Sequence, residues 1–258
     1  MVPHSAVRPF NRSSLFVVFV ALSLAGCGAR TAPAPATPQP PKPTAAPATS
    51  TLPDSIRWVR GSAEFVAAYE QTYRLATTRV EAEARTRTAG AWGVILDADE
   101  TVLDNSLFEE ERARIGQTYS EESWEAWVRR QEATPLPGAA AFLARVRALG
   151  GRIAIVTNRM QPLCPDTEVV LRKYQLAYDA ILCRVPGTPS DKNPRFEAVA
   201  SGRSPASATP LEIVAFVGDN IQDFPKLAQS IRTQGSSAFA EFGVRYFLLP
   251  NPMYGSWQ

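Results

Sequence analysis

Between positions 62 and 85, Phe65, Ala68, Tyr69, Tyr73, Ala76, Val80 and Ala84 recur at steps of three and four. That spacing predicts one long helix with a single buried stripe. Further on, the pattern changes to short continuous apolar runs at 92–96, 152–156, 180–183, 213–217 and 245–249. Runs of this kind suit parallel strands covered on both faces. Helical stretches are predicted at 138–149, 167–174 and 223–232, between most of the strands. Strand–helix alternation implies an α/β fold with a doubly wound parallel sheet. Residues 105–134 break the alternation. They hold a helical segment at 123–128 and read as a small helical cap inserted over one end of the sheet.

The amino end follows neither pattern. Arg8 and Arg12 precede an apolar run at 15–24 that is too short for a comfortable membrane span. Residues 1–26 therefore read as a secretory signal. The run ends in Leu24-Ala25-Gly26-Cys27, which resembles a bacterial lipobox. That makes Cys27 the expected lipidation site, and stable anchoring needs more than one acyl chain. A plain signal peptide followed by a chance cysteine is the alternative. From 28 to 54 the chain is Pro, Ala and Thr with few large apolar residues, so it reads as a semi-rigid tether. The folded domain is expected at 55–258. With the anchor, the expected location is the cell envelope. Gly28 is not the Asp of inner-membrane retention, which favours the outer membrane of a Gram-negative cell.

Composition sharpens this in one respect. The chain has 27 Lys+Arg against 25 Asp+Glu and a single histidine, His4. Loss of residues 1–26 removes Arg8 and Arg12 and brings the basic count down to the acidic one. No electrostatic case for a nucleic-acid polymer remains. It also removes the only imidazole, which excludes Ser-His-Asp and Cys-His hydrolases, histidine-nucleophile phosphatases and zinc sites built with His.

Doubly wound sheets bind ligands at the carboxyl ends of their strands. There the sequence places Asp97-Ala-Asp99-Glu-Thr101 after the first run, Thr157-Asn158-Arg159 after the second, and Gly218-Asp219-Asn220 after the fourth, with Asp223 a turn later. Asp191-Lys192-Asn193-Pro194-Arg195 opens a short helix ahead of the fourth run. Asp97 could attack phosphorus as a nucleophile and Asp99 could serve as acid and then base. Three close carboxylates call for a cation, and an all-oxygen site suits Mg²⁺. Thr157 and Lys192 could hold phosphoryl oxygens. Taken singly, each motif is weak: an Asp is usually solvated, and a Thr-Asn after a strand is usually a helix cap. The order of all four carries the signal.

That order resembles the haloacid dehalogenase-like (HAD) superfamily, and within it the class C non-specific acid phosphatases, also described as the lipoprotein e / 5′-nucleotidase family. The resembling text covers roughly residues 60–258. It includes Leu96-Asp-Ala-Asp-Glu-Thr-Val-Leu-Asp-Asn-Ser106, Ser123-Trp-Glu-Ala-Trp127, Val156-Thr-Asn-Arg159, Lys192-Asn-Pro-Arg195, Val217-Gly-Asp-Asn-Ile-Gln-Asp-Phe224 and Leu249-Pro-Asn-Pro-Met-Tyr-Gly-Ser-Trp257. The resemblance implies a HAD-like, Rossmann-like fold and hydrolysis of phosphomonoesters (nucleoside 5′-monophosphates, NMN, aryl phosphates) through an aspartyl phosphate. By position it makes Asp97 the nucleophile and Asp99 the general acid/base. It implies Mg²⁺ on the Asp97 carboxylate, the Asp99 carbonyl and the Asp219 carboxylate, with Asp223 supporting the metal and the lysine. It places phosphate on Thr157, Asn158 and Lys192. Trp124 and Tyr254 match aromatic positions that sandwich a planar ring; core packing is the alternative for Trp124 and Trp127. The Asn-Pro that follows Lys192 departs from the family's pattern and leaves the start of that helix open.

Cys164 and Cys183 lie near strand ends in an expected oxidising compartment, where a disulfide and two buried thiols fit equally well. Two other functions compete with hydrolysis: phosphotransfer to an alcohol, and a non-enzymatic binding lipoprotein, for haem for example. The sequence leaves the oligomeric state open, a homodimer included.

Overall fold

The computed structural model describes residues 51–258. Residues 1–50, and with them the signal segment, Cys27 and most of the tether, lie outside the described residues. Among the described residues no helix is long and apolar enough to cross a membrane.

The chain opens with α1 (Asp54–Gly61) and α2 (Ala63–Ala84). Ser62 separates them, and its side chain accepts a hydrogen bond from the Phe65 amide, capping α2. The stripe on α2 is buried at Phe65, Tyr69, Tyr73, Ala76 and Val80.

β1 (Trp92–Leu96), β4 (Arg152–Met160), β5 (Ala180–Arg184), β6 (Glu212–Gly218) and β7 (Tyr246–Leu248) form a parallel sheet in the order β5-β4-β1-β6-β7. Side chains alternate across it. Val94, Leu96, Ile153 and Ile155 join the core built on α2, on α5 (Ala139–Ala148) and on α6 (Cys164–Lys173). Ile95, Ala154, Val156 and Phe216 join a second core with α7 (Asn193–Ala200) and Phe224. Both faces are covered, which is why the strands read as continuous apolar runs.

The segment after β1 leaves the sheet. β2 (Leu103–Asp104) and β3 (Thr134–Pro135) pair antiparallel, and between them lie α3 (Ser106–Arg114) and α4 (Glu121–Arg130). Phe108, Trp124 and Trp127 pack together inside this insertion.

One expected helix does not form. The stretch 223–232 contains the end of a 3₁₀ turn (Ile221–Asp223) and the start of another (Gln229–Thr233). Pro225 lacks an amide hydrogen and holds the preceding Phe224 extended, at φ −113° and ψ 140°. Lys226 then turns left-handed, at φ 61°. The expected helix after Lys192 does form. Pro194 sits in the first turn of α7, where its missing N–H is no loss, and the Asp191 side chain accepts from the Asn193 amide.

Candidate active site

The loop after β1 is braced from below by the α2 stripe. Tyr69 Oη donates to the Glu100 carbonyl at 2.6 Å and Tyr73 Oη donates to the Thr101 carbonyl at 2.8 Å. The amides of Val102 and Leu103 both donate to the Ala98 carbonyl. This tight fold puts Glu100 in the left-handed region, at φ 48°. Asp97 continues the β1–β6 ladder, its amide donating to the Val217 carbonyl at 3.0 Å. The Asp97 side chain thus leaves the sheet at the tip of the central strand.

Asp219 follows the tip of the neighbouring β6. Its carboxylate accepts from Thr101 Oγ1 at 3.2 Å and from Asn251 Nδ2 at 2.9 Å. Asp223 folds back over Gly218, where an added Cβ would sit 2.3 Å from the Asp223 Cβ. Only glycine admits that approach. Carboxylate oxygens of Asp97, Asp219 and Asp223 lie within 4.8 Å of one another. Lys192, buried at the foot of α7, donates to Asp97 Oδ1 and to Asp223 Oδ1, the latter at 2.6 Å. Burial opposes its charge, but Asp223 and Asp97 outweigh burial and raise its pKa. Burial pushes Asp97 up to about 7, with Lys192 pulling against it and Asp223 and Asp99 adding to the rise. Asp219 is raised as well, by burial and then by Asp223 and Asp97. Three carboxylates and one ammonium leave an excess of negative charge. The donor set is all oxygen, which fits a hard divalent cation such as Mg²⁺.

Thr157 lies where β4 bulges. Val156 pairs with Leu182 and Met160 with Arg184, so β4 uses four steps where β5 uses two. The bulge carries Thr157, Asn158 and Arg159. Thr157 is fully buried and Asn158 is exposed. Arg195 fastens the bulge, donating to the Thr157 carbonyl and, at 2.6 Å, to Asn158 Oδ1.

Asp99 stands on the cap side of the same loop. Its Oδ1 accepts from Arg159 Nη2 at 2.7 Å, Arg159 Nε at 3.0 Å and Asn105 Nδ2 at 2.9 Å. Oδ2 has only a longer contact to Arg159 Nε, at 3.3 Å. Asn105 is a hub: it also donates to Glu100 and accepts from Trp127 Nε1 at 2.9 Å. Trp127 is therefore a buried structural residue. Trp124 is only half-buried. It lines a cleft of about 1050 Å³ together with Tyr254, Asp99, Asn158 and Phe108. Cys164 and Cys183 are disulfide-bonded, with Cα atoms 6.3 Å apart. The bond ties the start of α6 to β5 beside this cleft.

The structure brings Asp97, Asp219, Asp223 and Lys192 into one cluster, and Asp99, Asn158, Trp124 and Tyr254 to the adjoining cleft. Sequence reasoning missed Arg159, Asn105, Arg195 and Asn251. All four lie inside or beside the motif strings, but nothing in their residue types marks them as buried or as partners of the aspartates.

The model of the HAD superfamily, subfamily IIIB (Acid phosphatase), matches residues 39–257. The chain is similar to the class C acid phosphatase from Bacillus anthracis, at 30% identity over 79% of this chain and 84% of that one, with a TM-score of 0.69. It is likewise similar to the Bacillus anthracis enzyme with tungstate bound, at 29% identity, the same coverage of both chains and a TM-score of 0.69. The chain belongs to the HAD superfamily, in its subfamily IIIB of acid phosphatases. It is a phosphomonoester hydrolase.

Proposed function

We propose that the chain is a Mg²⁺-dependent acid phosphatase and 5′-nucleotidase that works through an aspartyl phosphate. The observation that carries this reading is the meeting of Asp97, Asp219, Asp223 and Lys192 at the strand tips, beside an aromatic cleft that Asp99 also lines. The carboxylates of Asp97 and Asp219 and the carbonyl of Asp99 would hold the cation, and Asp223 would support it. The cation, when bound, offsets the repulsion between Asp97 and an incoming phosphate dianion.

An Asp97 oxygen forms a bond to phosphorus as the ester P–O bond breaks. Asp99 gives its proton to the leaving oxygen. Its Oδ1 already receives three N–H donors, so Oδ2 is the atom that carries this proton. Asp99 then takes a proton from the water that attacks the phosphorus, releasing phosphate and restoring Asp97. Thr157, Asn158 and Lys192 hold phosphoryl oxygens. Trp124 and Tyr254 stack on the base of a nucleotide or the ring of NMN, and stacking tolerates any planar ring. In the cell the domain is carried on the tether from lipidated Cys27, at the outer membrane.

Hydrolysis of p-nitrophenyl phosphate and NMN, with and without Mg²⁺, tests the mechanism in wild type and Asp97→Asn. The expected result is Mg²⁺-dependent release of phosphate that Asp97→Asn abolishes. Wild-type inactivity on both substrates, or an unaffected Asp97→Asn, overturns it. Tungstate, a tetrahedral oxyanion held by the Bacillus anthracis relative, is expected to compete with substrate. Palmitate labelling lost in Cys27→Ser tests the anchor.

A further inference from the structure

Three arginines line the cleft, and two of them are committed. Arg159 is ion-paired with Asp99 and Arg112 with Glu109. The third, Arg184, has no carboxylate within ion-pairing distance and no side-chain hydrogen bond among the described residues. Its Nε is buried without a partner, as is the Nε of Arg112, whose guanidinium is nonetheless held to Glu109 through Nη2. A buried donor left unsatisfied costs about 1–3 kcal/mol, so the position favours an acceptor that arrives from the cleft.

Its place in the fold is defined. Arg184 ends β5 and pairs with Met160, immediately beyond the Thr157–Arg159 bulge. β5 lies two strands from β1, so Arg184 stands roughly 10 Å to the side of the Asp97 tip. The disulfide fixes it from behind, because Cys183 precedes Arg184 and its partner Cys164 follows Leu163, another cleft residue. Arg184 lines the cleft together with Tyr119 of the cap insertion and with Asn158 and Arg159 of the bulge, so it stands between the cap and the bulge.

We propose that Arg184 receives a second anionic group of the substrate, and that the cleft is built for phosphomonoesters bearing a second phosphate, such as nucleoside bisphosphates. The planar fork of a guanidinium matches phosphate oxygens two at a time. The cleft volume of about 1050 Å³ slightly exceeds about 300–1,000 Å³, the usual range for small-molecule sites. It leaves room for a group beyond the ring stacked on Trp124. This proposal rests on the phosphatase reading above and adds a substrate preference to it.

The test compares kcat/KM for adenosine 3′,5′-bisphosphate and for AMP, following loss of the 5′-phosphate, in wild type, Arg184→Gln and Arg184→Lys. Wild type is expected to prefer the bisphosphate. Arg184→Gln is expected to lower the bisphosphate-to-AMP ratio at least about ten-fold, through KM more than kcat, and Arg184→Lys to restore part of it. An unchanged ratio overturns the proposal, as does a proportional loss on both substrates. Wild type inactive even on p-nitrophenyl phosphate sinks the phosphatase reading and this proposal together. Wild type active with an insensitive ratio sinks this proposal alone.

Discussion

Arg159 holds Asp99 mainly by one oxygen, with Nη2 at 2.7 Å and Nε at 3.0 Å from the same Oδ1 and Nε at the longer distance of 3.3 Å from Oδ2. The Arg159 guanidinium is itself buried, with Nη1 donating to Thr167 Oγ1 at 3.0 Å and Nη2 to Asn105 Oδ1 at 3.2 Å. With Asp99 as the proposed acid, Arg159 is expected to act through it as a positioning residue. A misplacement of about 1 Å near reacting atoms costs roughly 100-fold in rate. Arg159→Gln is accordingly expected to lower kcat on p-nitrophenyl phosphate by about that factor, with a smaller change in KM. Arg159→Lys keeps the charge but loses the fork, and should fall between. A kcat within a few-fold of wild type for Arg159→Gln contradicts the role.

Chelation of the cation should cost stability, and more so at neutral pH. A carboxylate whose pKa is raised by folding binds its proton more tightly in the folded state. Its favourable contribution is complete below the unfolded pKa and is lost as pH rises through the folded one. Asp97, pushed up to about 7, and Asp219 both shift in this direction. A chelated protein therefore loses stability between about pH 4 and 7, where ordinary carboxylates have already ionised. A cation bound among these carboxylates would take over the proton's place. At about 100 times its Kd it contributes about 2.7 kcal/mol. For a domain of this size that raises Tm by roughly 5–10 °C. Thermal melts with Mg²⁺ or EDTA should differ by this much at pH 7.5 and by clearly less at pH 5. Asp219→Asn should reduce the difference at both.

Trp124 rests edge-on against Phe108, centroids 5.4 Å apart, with the Arg159 guanidinium 5.4 Å from its ring centroid. It is held, but one side faces the cleft. Removing a base-stacking aromatic costs about 1–3 kcal/mol per base. Trp124→Ala should raise KM for AMP and NMN about 5- to 160-fold. The KM for inorganic pyrophosphate or a short alkyl phosphate, which offers no ring, should move far less. Equal shifts for both kinds of substrate would mean that the residue only supports the cap.

The disulfide spans 19 residues of sequence. A loop of that size is worth about 3 kcal/mol through the unfolded chain. Urea unfolding of Cys164→Ser/Cys183→Ser is expected to show that loss. Because Leu163 and Arg184 flank the bonded cysteines, the same variant should also weaken substrate binding.

The strands were legible in the sequence because each is buried on both faces and so reads as an unbroken apolar run. The α2 stripe was legible because a single face of it is buried. The aspartates were legible because strand tips in a doubly wound sheet are where ligands bind. The failed helix at 223–232 had its warning in Pro225, which outweighed the apolar spacing around it. The partners of the aspartates were harder to read. Whether an arginine such as Arg159 is solvated or buried depends on tertiary packing, here the closeness of Asn105 and Thr167. The same holds for Trp127, whose spacing from Trp124 could not tell the buried ring from the one at the cleft.

Sheet order has a consequence for when activity arises. Asp97 meets Lys192 across 95 residues of chain, and Thr101 meets Asp219 across 118. The central strand β1 is made first, yet both its neighbours, β4 and β6, come later in the chain. No amino-terminal fragment that stops short of β6 holds the full set of carboxylates. A nascent or unfolded chain is therefore expected to be silent towards phosphate esters, with turnover beginning only once β6 has docked beside β1. With the proposed site, catalysis would be a direct readout of completed folding.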